Sequence, residues 1–585
     1  MTSDAVPSTP AMVDLAAWLF IVLLAAVAAV HHRWLRALWF RQEDPRPVAL
    51  LRIATGALLL AWLLDLAPIW DYLWSNEGLL TGAEARARFS ARRPLSLLYD
   101  YDSPRAVRIY VGVMVVSCTA LTVGLLTRVA AWVTLILLLG LLARNAVSLG
   151  GEQVFTSFLF YLALARCGAA YSVDAWIARH RHPDTPPPTI PAWPRTLMIL
   201  QLVPMFFVNG MAKHGPSWAT GDTVYYLLHH PAFGPGPVWG LSASLGPWPT
   251  RLMTWGAHLF ELLVPLVIVG WVMGVARTLS VPGLSAPMRN VHRGLLLALG
   301  ADIIVLSMVG LPPRARGTLP FTVGIVGGAA LATAPLWLPW ARRVPERWRP
   351  WILGRRVWVT AWVTFAGTLF FVMNLGWFTG LTLCAAVVLI DDERLPRRAP
   401  APPVAPTPRP WRRRAIAALC AMQMVSIAAV SLPTSRPAWR TTLERPLRLW
   451  IGLTTSFQVW RMFAPSTSPM VTDLEVELVD ATGQVRGVGA GLVDLPSSRW
   501  SRDKREKIRG RIASHRQGKQ YWSAHAAYVC RRYAGVTPRV RSVRLVRHTV
   551  PTPRPEALVA LGVDEALAQR EHARTRRPLY ERDCP

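Results

Sequence analysis

Long apolar runs alternate with short basic segments over the first three quarters of the chain. A helix needs about 17–25 apolar residues to cross a bilayer. About 12 runs approach that length: 12–30, 48–68, 107–126, 128–146, 153–171, 195–212, 251–275, 291–311, 318–340, 357–374, 376–390 and 415–432. The pairs 107–146 and 357–390 are closely joined. After residue 432 the period changes. TDLEVELVDATGQVRGVGAGLVDL alternates apolar and polar residues across a turn, as a β-hairpin does. YWSAHAAYVCRRYAG reads as a helix closed by Gly535. VRSVRLVRHTV alternates again as a strand, and PEALVALGVDEALAQREHA reads as a terminal helix. The pattern predicts an all-α polytopic membrane protein of about 12 transmembrane or membrane-embedded helices, with a small C-terminal α+β soluble domain. The expected divisions are 1–45, an N-terminal helix and cytoplasmic loop; 46–311, the transmembrane core; 312–393, further membrane helices; 394–414, a Pro/Arg-rich linker; 415–432, the last transmembrane helix; and 433–585, an extracytoplasmic α+β domain.

Composition agrees. Hydrophobic residues make up 52% of the chain, yet the formal charge is +30. The charges fall between the runs, so they read as topology signals rather than as a nucleic-acid surface. Arg33, Arg36, Arg41 and Arg46 put the first loop in the cytoplasm, and the later basic loops follow in register. The N- and C-termini, Lys213 and the loop 213–249 then face outside. One loop dissents: residues 71–106 carry Arg86, Arg88, Arg92, Arg93 and Arg105 on the outer side, and Arg108 follows. Amphipathic surface helices would account for it. Tryptophans such as Trp70, Trp218, Trp340 and Trp411 sit near run ends, as interfacial belts do. The tail before the first run has no Lys or Arg, so no cleavable signal peptide is expected. Cys530 and Cys584 are the two cysteines of the C-terminal region, and in an oxidising compartment they have the option of pairing. No CxxC or zinc-type spacing appears, so no metal is expected.

Candidate chemistry centres on Lys213, which ends the run Leu197–Ala212. An ionisable side chain near hydrocarbon is a functional hypothesis by default. The competing reading is a lysine that snorkels to the interface. The few acids in or beside the runs include Asp65, Glu152, Glu261 and Asp302. His258 and Glu261, three residues apart, share a helix face and fit either a proton relay or interhelical hydrogen bonding. No Ser-His-Asp pattern, phosphate loop or nucleotide fingerprint is present.

Gln201, Phe207, Gly210, Lys213, Trp218 and Gly221 together resemble the core of the vitamin K-dependent gamma-glutamyl carboxylase family, which is grouped with bacterial proteins as the horizontally transferred transmembrane (HTTM) domain. Other pieces agree in order: Arg52 and Gly56; GLLTR at 124–128; Ser172-Val173-Asp174 after Gly168; Trp255-Gly256 with Glu261; and FQVWRMF at 457–463. The resemblance covers most of 46–311.

It implies a lysine base at Lys213 that deprotonates reduced vitamin K or another quinol, with oxygen and carbon dioxide as co-substrates and no metal. Gln201, His214, Trp218, His258 and Glu261 would line the substrate or quinol pocket. A lysine is a base only when neutral, and an apolar site favours the neutral amine. The implied activity is that of a carboxylase or oxygenase-type lyase in a bacterial cytoplasmic membrane. Some features depart from the animal enzymes. Gly150-Gly151-Glu152 stands where they place a histidine, Ala212 stands where they have a second lysine, and no propeptide-binding domain is evident. His292 is a loose match to a histidine on a later helix. Carboxylation of protein glutamates therefore does not follow, and a second reading stays open: a non-catalytic membrane assembly or maturation factor whose C-terminal domain recruits an extracytoplasmic protein or peptide client. A transporter is a weaker reading, because the internal pseudo-symmetry and broken midplane helices common in transporters are not evident in this sequence.

Overall fold

Helices form where the apolar runs lie, but many are shorter than the runs. The computed structural model describes residues 10–585 except 92, 94, 145–146, 148–149, 235, 237, 277–280, 313–314, 342–344, 346–347, 349–354, 391–409, 432–437, 455–461 and 490–498. Most of the Pro/Arg linker and the start of FQVWRMF thus lie outside the described residues. Five described helices are long and apolar enough to cross a membrane: Met12–Val30, Arg46–Asp65, Pro104–Val123, Ala286–Val309 and Pro410–Val430. Trp248–Leu263 and Pro265–Val272 together make a sixth, bent by 50°. Pro265 has no N–H to give and its ring crowds the preceding turn, which accounts for the bend.

The expected count of about 12 transmembrane or membrane-embedded helices is therefore not confirmed among the described residues. Thr127–Ala143, Leu319–Ala332, Arg356–Val372 and Trp377–Leu389 are apolar but shorter. The joined run 357–390 breaks where Gly376 takes φ +58°, a conformation that suits glycine. Trp193–Met211 has the length but carries Arg195, Gln201, Asn209 and Pro204, which lower its hydropathy.

Three buried arginines tie the core helices together. Each donates to backbone carbonyls at or near helix ends, groups the helices themselves leave unpaired. Arg52 reaches Leu121 O at 3.2 Å and Tyr171 O. Arg144 reaches Trp74 O and Leu80 O at 2.9 and 2.8 Å. Arg195 reaches Val388 O at 2.8 Å and also Ile390 O, with Glu43 3.3 Å away. Around Arg52 several motif pieces meet. Asp174 accepts hydrogen bonds from the amides of Leu126 and Thr127 and so caps Thr127–Ala143. Gly124 takes φ +77°, and a Cβ there would lie 1.9 Å from Arg52 Nη1, so only glycine fits.

Helices Met12–Val30, Ala286–Val309 and Leu319–Ala332 pack mainly on one another. Gly300 and Gly328 allow the close approach, since a Cβ on Gly300 would meet Gly328 O at 2.4 Å. His31 Nε2 lies 3.1 Å from His292 Nδ1 in this group, so His292 faces another histidine at the end of the first helix rather than Lys213.

The C-terminal unit is built on a four-stranded antiparallel sheet. Two short strands, β1 (Gln42–Glu43) and β2 (Ile190–Pro191), pair separately in the core. In the sheet β3 is Met470–Asp480, β4 Val485–Gly487, β5 Val540–Pro551 and β6 Thr575–Asp583, in the order β4-β3-β5-β6. Alternation buries Leu474, Val476, Leu478, Val543 and Leu545, and helices Arg499–Ala513 and His515–Arg532 pack on the sheet. The expected terminal helix is two, Pro555–Leu561 and Val563–His572, divided by Gly562 at φ +80°. β6 follows, although the sequence reading assigned no strand there. Cys530 and Cys584 form a disulfide. Ahead of the sheet, helix Ala438–Thr454 packs into the membrane bundle: Trp450 Nε1 donates to Gln423 Oε1 at 2.9 Å and its ring meets Phe160 edge-on.

The C-terminal unit sits directly on the membrane core. Lys504 Nζ lies 2.7 Å from Glu152 Oε1, with both side chains buried, and also donates to Val147 O. Tyr72 Oη meets His525 Nδ1 at 2.9 Å. The dissenting loop contributes to this junction. Arg88 lies over Tyr521, and Arg531 donates to Glu77 O. Arg86 pairs with Asp100, Arg108 with Asp71, and Arg93 donates to Leu142 O. Arg86, Arg88, Arg93 and Arg108 thus have protein partners, and the loop does include the short helices Trp70–Trp74 and Gly82–Phe89.

Candidate functional site

Helix Trp193–Met211 ends two residues before Lys213, whose amide still bonds Gly210 O at 3.1 Å. Pro216 then starts the short helix Pro216–Ala219, which places Trp218 beside the lysine. The other wall is Trp248–Leu263. The two helices approach closely at Gly210, where a Cβ would lie 3.1 Å from Glu261 Cβ. That contact brings Glu261 to Lys213 across a separation of 48 residues.

Lys213 is 3% exposed, so its amine does not reach water as a snorkelling lysine would. Nζ lies 2.6 Å from Glu261 Oε2 and 4.2 Å from the centroid of the Trp218 ring. Asn209 Nδ2 donates to the other carboxylate oxygen at 3.1 Å. His258 Nε2 lies 3.0 Å from Gly210 O, and its ring meets Trp218 edge-on at 5.1 Å. Trp218 Nε1 donates to Phe463 O at 2.8 Å.

Beside this cluster is a cavity of about 50 Å³. Lys213, Glu261, Asn209 and Trp218 line one side. Phe206, Phe365, Leu369 and Phe378 form apolar walls, and Met462 and Phe463 close it from the segment before the sheet. That segment is fixed by Gly215 N to Pro465 O at 2.8 Å and by Ser217 Oγ to Ser466 Oγ at 2.8 Å. Behind it Phe463 packs edge-on against Phe233. Three residues earlier, His230 accepts a hydrogen bond on Nδ1 from Ala232 N at 3.1 Å. Burial pushes its pKa down to about 4; Asp473 opposes the shift and Lys507 adds to it.

The residues singled out in the sequence are thus distributed unevenly. Lys213, Trp218 and Glu261 line the cavity together, and His258 supports Trp218 from behind. His214 is adjacent in sequence but is not a cavity wall. Gln201 lies elsewhere. It joins a buried polar network in which Tyr161 Oη donates to its Oε1, its Nε2 reaches Ser157 Oγ at 3.2 Å, and Gln423 Nε2 reaches its Oε1 at 3.1 Å. Asn209 went unnoticed in the sequence, although it is four residues before Lys213 and so on the same helix face. The apolar walls come from distant helices and carry no local signal. Among the described residues no cluster of three or more potential metal ligands occurs.

The HTTM domain family model matches residues 40–278, which hold Lys213, Glu261 and every other residue of the polar cluster. No curated protein and no solved structure matches the chain. Over residues 40–278 the chain is similar to the HTTM domain family.

Proposed function

We propose that this protein is a membrane enzyme of the carboxylase-related class, in which the Lys213–Glu261 pair is the base that deprotonates a lipid-borne quinol. The observation that carries this reading is a buried amine–carboxylate pair at 2.6 Å opening onto an apolar cavity. The pair, rather than the amine alone, acts as the base. As ammonium and carboxylate, or as amine and acid, it holds one shared proton. Either form accepts one more and becomes ammonium plus neutral acid. The site then gains one positive charge beside the cavity, where low dielectric strengthens its attraction for the anion left behind. Asn209 and Trp218 hold the two partners in place.

The walls suit a quinol. They are aromatic and aliphatic, and the cavity now has room for a few waters at about 10–15 Å³ each. A ring would enter by displacing Met205, Met373 and Met462, whose unbranched side chains repack readily. When bound, a reduced quinone supplies the reductant for dioxygen and thereby a base strong enough to take a carbon-bound proton, after which carbon dioxide adds to the carbanion. Overall a quinol, dioxygen, a carbon acid and carbon dioxide become the quinone epoxide, water and the carboxylated product. The dry pocket protects the carbanion from water. The acceptor would be a protein or peptide client on the side of the C-terminal unit. The disulfide Cys530–Cys584 supports placing that unit in an oxidising compartment, with the arginine-rich first loop in the cytoplasm of a bacterial cell.

The assembly-factor reading draws on the same ion pair, which also joins two helices. Quinol oxidation and epoxide formation by the purified full chain, wild type against Lys213→Ala, separate the two. Loss of at least about a hundredfold is expected on removing a general base. Equal turnover, or none in the wild type, would leave the scaffold role.

A further inference from the structure

Among the described residues, one buried polar atom at the cavity has no partner. Asn209 is 4% exposed and lines the cavity. Its Nδ2 donates to Glu261, but its Oδ1 accepts nothing. The orientation of the amide follows from its neighbour, since turning Oδ1 toward the carboxylate would set two acceptors against each other. A buried amide oxygen without a hydrogen bond is destabilising, and such an atom in a native structure calls for an explanation.

The other polar groups at the cavity are already engaged. The amine of Lys213 is held by Glu261 and the Trp218 face, and Trp218 Nε1 by Phe463 O. The site therefore keeps one unmet demand, for a hydrogen-bond donor. A donor carried by a largely apolar molecule fits that demand, because most of the remaining wall is aromatic or aliphatic.

We propose that Asn209 is a specificity-determining residue that selects a hydroxyl-bearing, reduced ring over its oxidised form by accepting a hydrogen bond on Oδ1. This rests on the quinol reading above and adds a direction to it. A dihydroxy ring offers one hydroxyl to the Lys213–Glu261 pair and a donor to Asn209. The corresponding dione brings only acceptors, so Oδ1 stays unmatched when it binds. Product formed in the oxidised state is then released in preference to substrate.

The test is anaerobic titration of the full-length protein in nanodiscs, with empty nanodiscs as the partition control. The probes are 2-methyl-1,4-naphthoquinone and its dihydroxy form. The wild type is expected to bind the reduced probe about tenfold tighter, the size of one neutral hydrogen bond. Asn209→Leu is expected to bring the two affinities together. General damage to the site would weaken both probes alike and leave their ratio unchanged, so an unchanged ratio in the variant overturns the role of Asn209. Equal binding by the wild type overturns it without any variant and leaves the quinol reading standing. Binding of neither probe by the wild type overturns both.

Discussion

Two buried lysine–glutamate pairs stand in different surroundings, and the contrast sets a contact between two parts of the molecule against the proposed base. Lys504 comes from a C-terminal helix and meets Glu152 on a core helix at 2.7 Å, with Val147 O as a further acceptor. Its role is that of a fastener between two parts of the molecule. Lys213 meets Glu261 at 2.6 Å, both within the HTTM domain, and opens on one side to a cavity. Distances and burial are nearly the same. The difference is in the surroundings: among the described residues, Lys213 has a cavity beside it. Distance and burial alone therefore do not identify a catalytic lysine.

The largest expected effect tests the fastener. Removing one partner of a buried pair strands the other charge and costs about 3–5 kcal/mol, whereas replacing both with apolar residues is often neutral. Glu152→Leu should destabilise the full chain by that amount in denaturant melts. The double variant Glu152→Leu/Lys504→Met should recover most of the loss. If the single change proves harmless, the pair at the junction is not fastening anything.

The cavity pair should behave otherwise. Its double replacement, Lys213→Met/Glu261→Leu, is expected to fold with near-native stability, yet to lose at least about a hundredfold in turnover, or about 2.7 kcal/mol of transition-state stabilisation. Glu261→Gln alone should lose about as much as Lys213→Ala, because the two share the proton. The junction double should keep turnover within about threefold. Quinol oxidation by all four variants reads this directly, and a fully active cavity double would make the two pairs equivalent.

The membrane character of the chain was legible because apolar runs need no partner to be recognised. Their breaks were less so. Pro265 gives a local reason for a bend, but Asn209, Gln201 and Arg195 disguise the length of Trp193–Met211 by lowering its hydropathy. Lys213 stood out as a charge at the end of an apolar run, and Glu261 as an acid within one, but their meeting depends on how two helices cross at Gly210. Gln201 is instructive, since it does not line the cavity beside Lys213. It precedes Lys213 by 12 residues, about 18 Å along a helix at 1.5 Å per residue, so helical geometry alone argued against a shared pocket. The edge strand β6 escaped notice because TRRPLYERD is charged and contains proline, features that edge strands tolerate.

The smallest effect concerns where the two regions meet. His230 lies beside the segment that closes the cavity, and its Nδ1 accepts the Ala232 amide, which requires the neutral ring. Burial holds its pKa at about 4 in the folded chain, against about 6.5 when unfolded. Between those values the unfolded chain binds more protons, so stability rises with pH. The contribution is complete above about pH 6.5 and is lost as pH falls toward 4. Allowing for partial exposure of the ring, it amounts to roughly 2 kcal/mol. Limited proteolysis of the segment around Phe463 should therefore quicken between pH 7 and pH 5. His230→Asn keeps an acceptor for Ala232 but cannot titrate there, so its cleavage rate should change far less over the same range. If variant and wild type respond alike, the acid sensitivity of the junction resides elsewhere. A cavity opened by acid through His230, with the Lys213–Glu261 contact still closed, would show that the closing segment and the ion pair are separable parts.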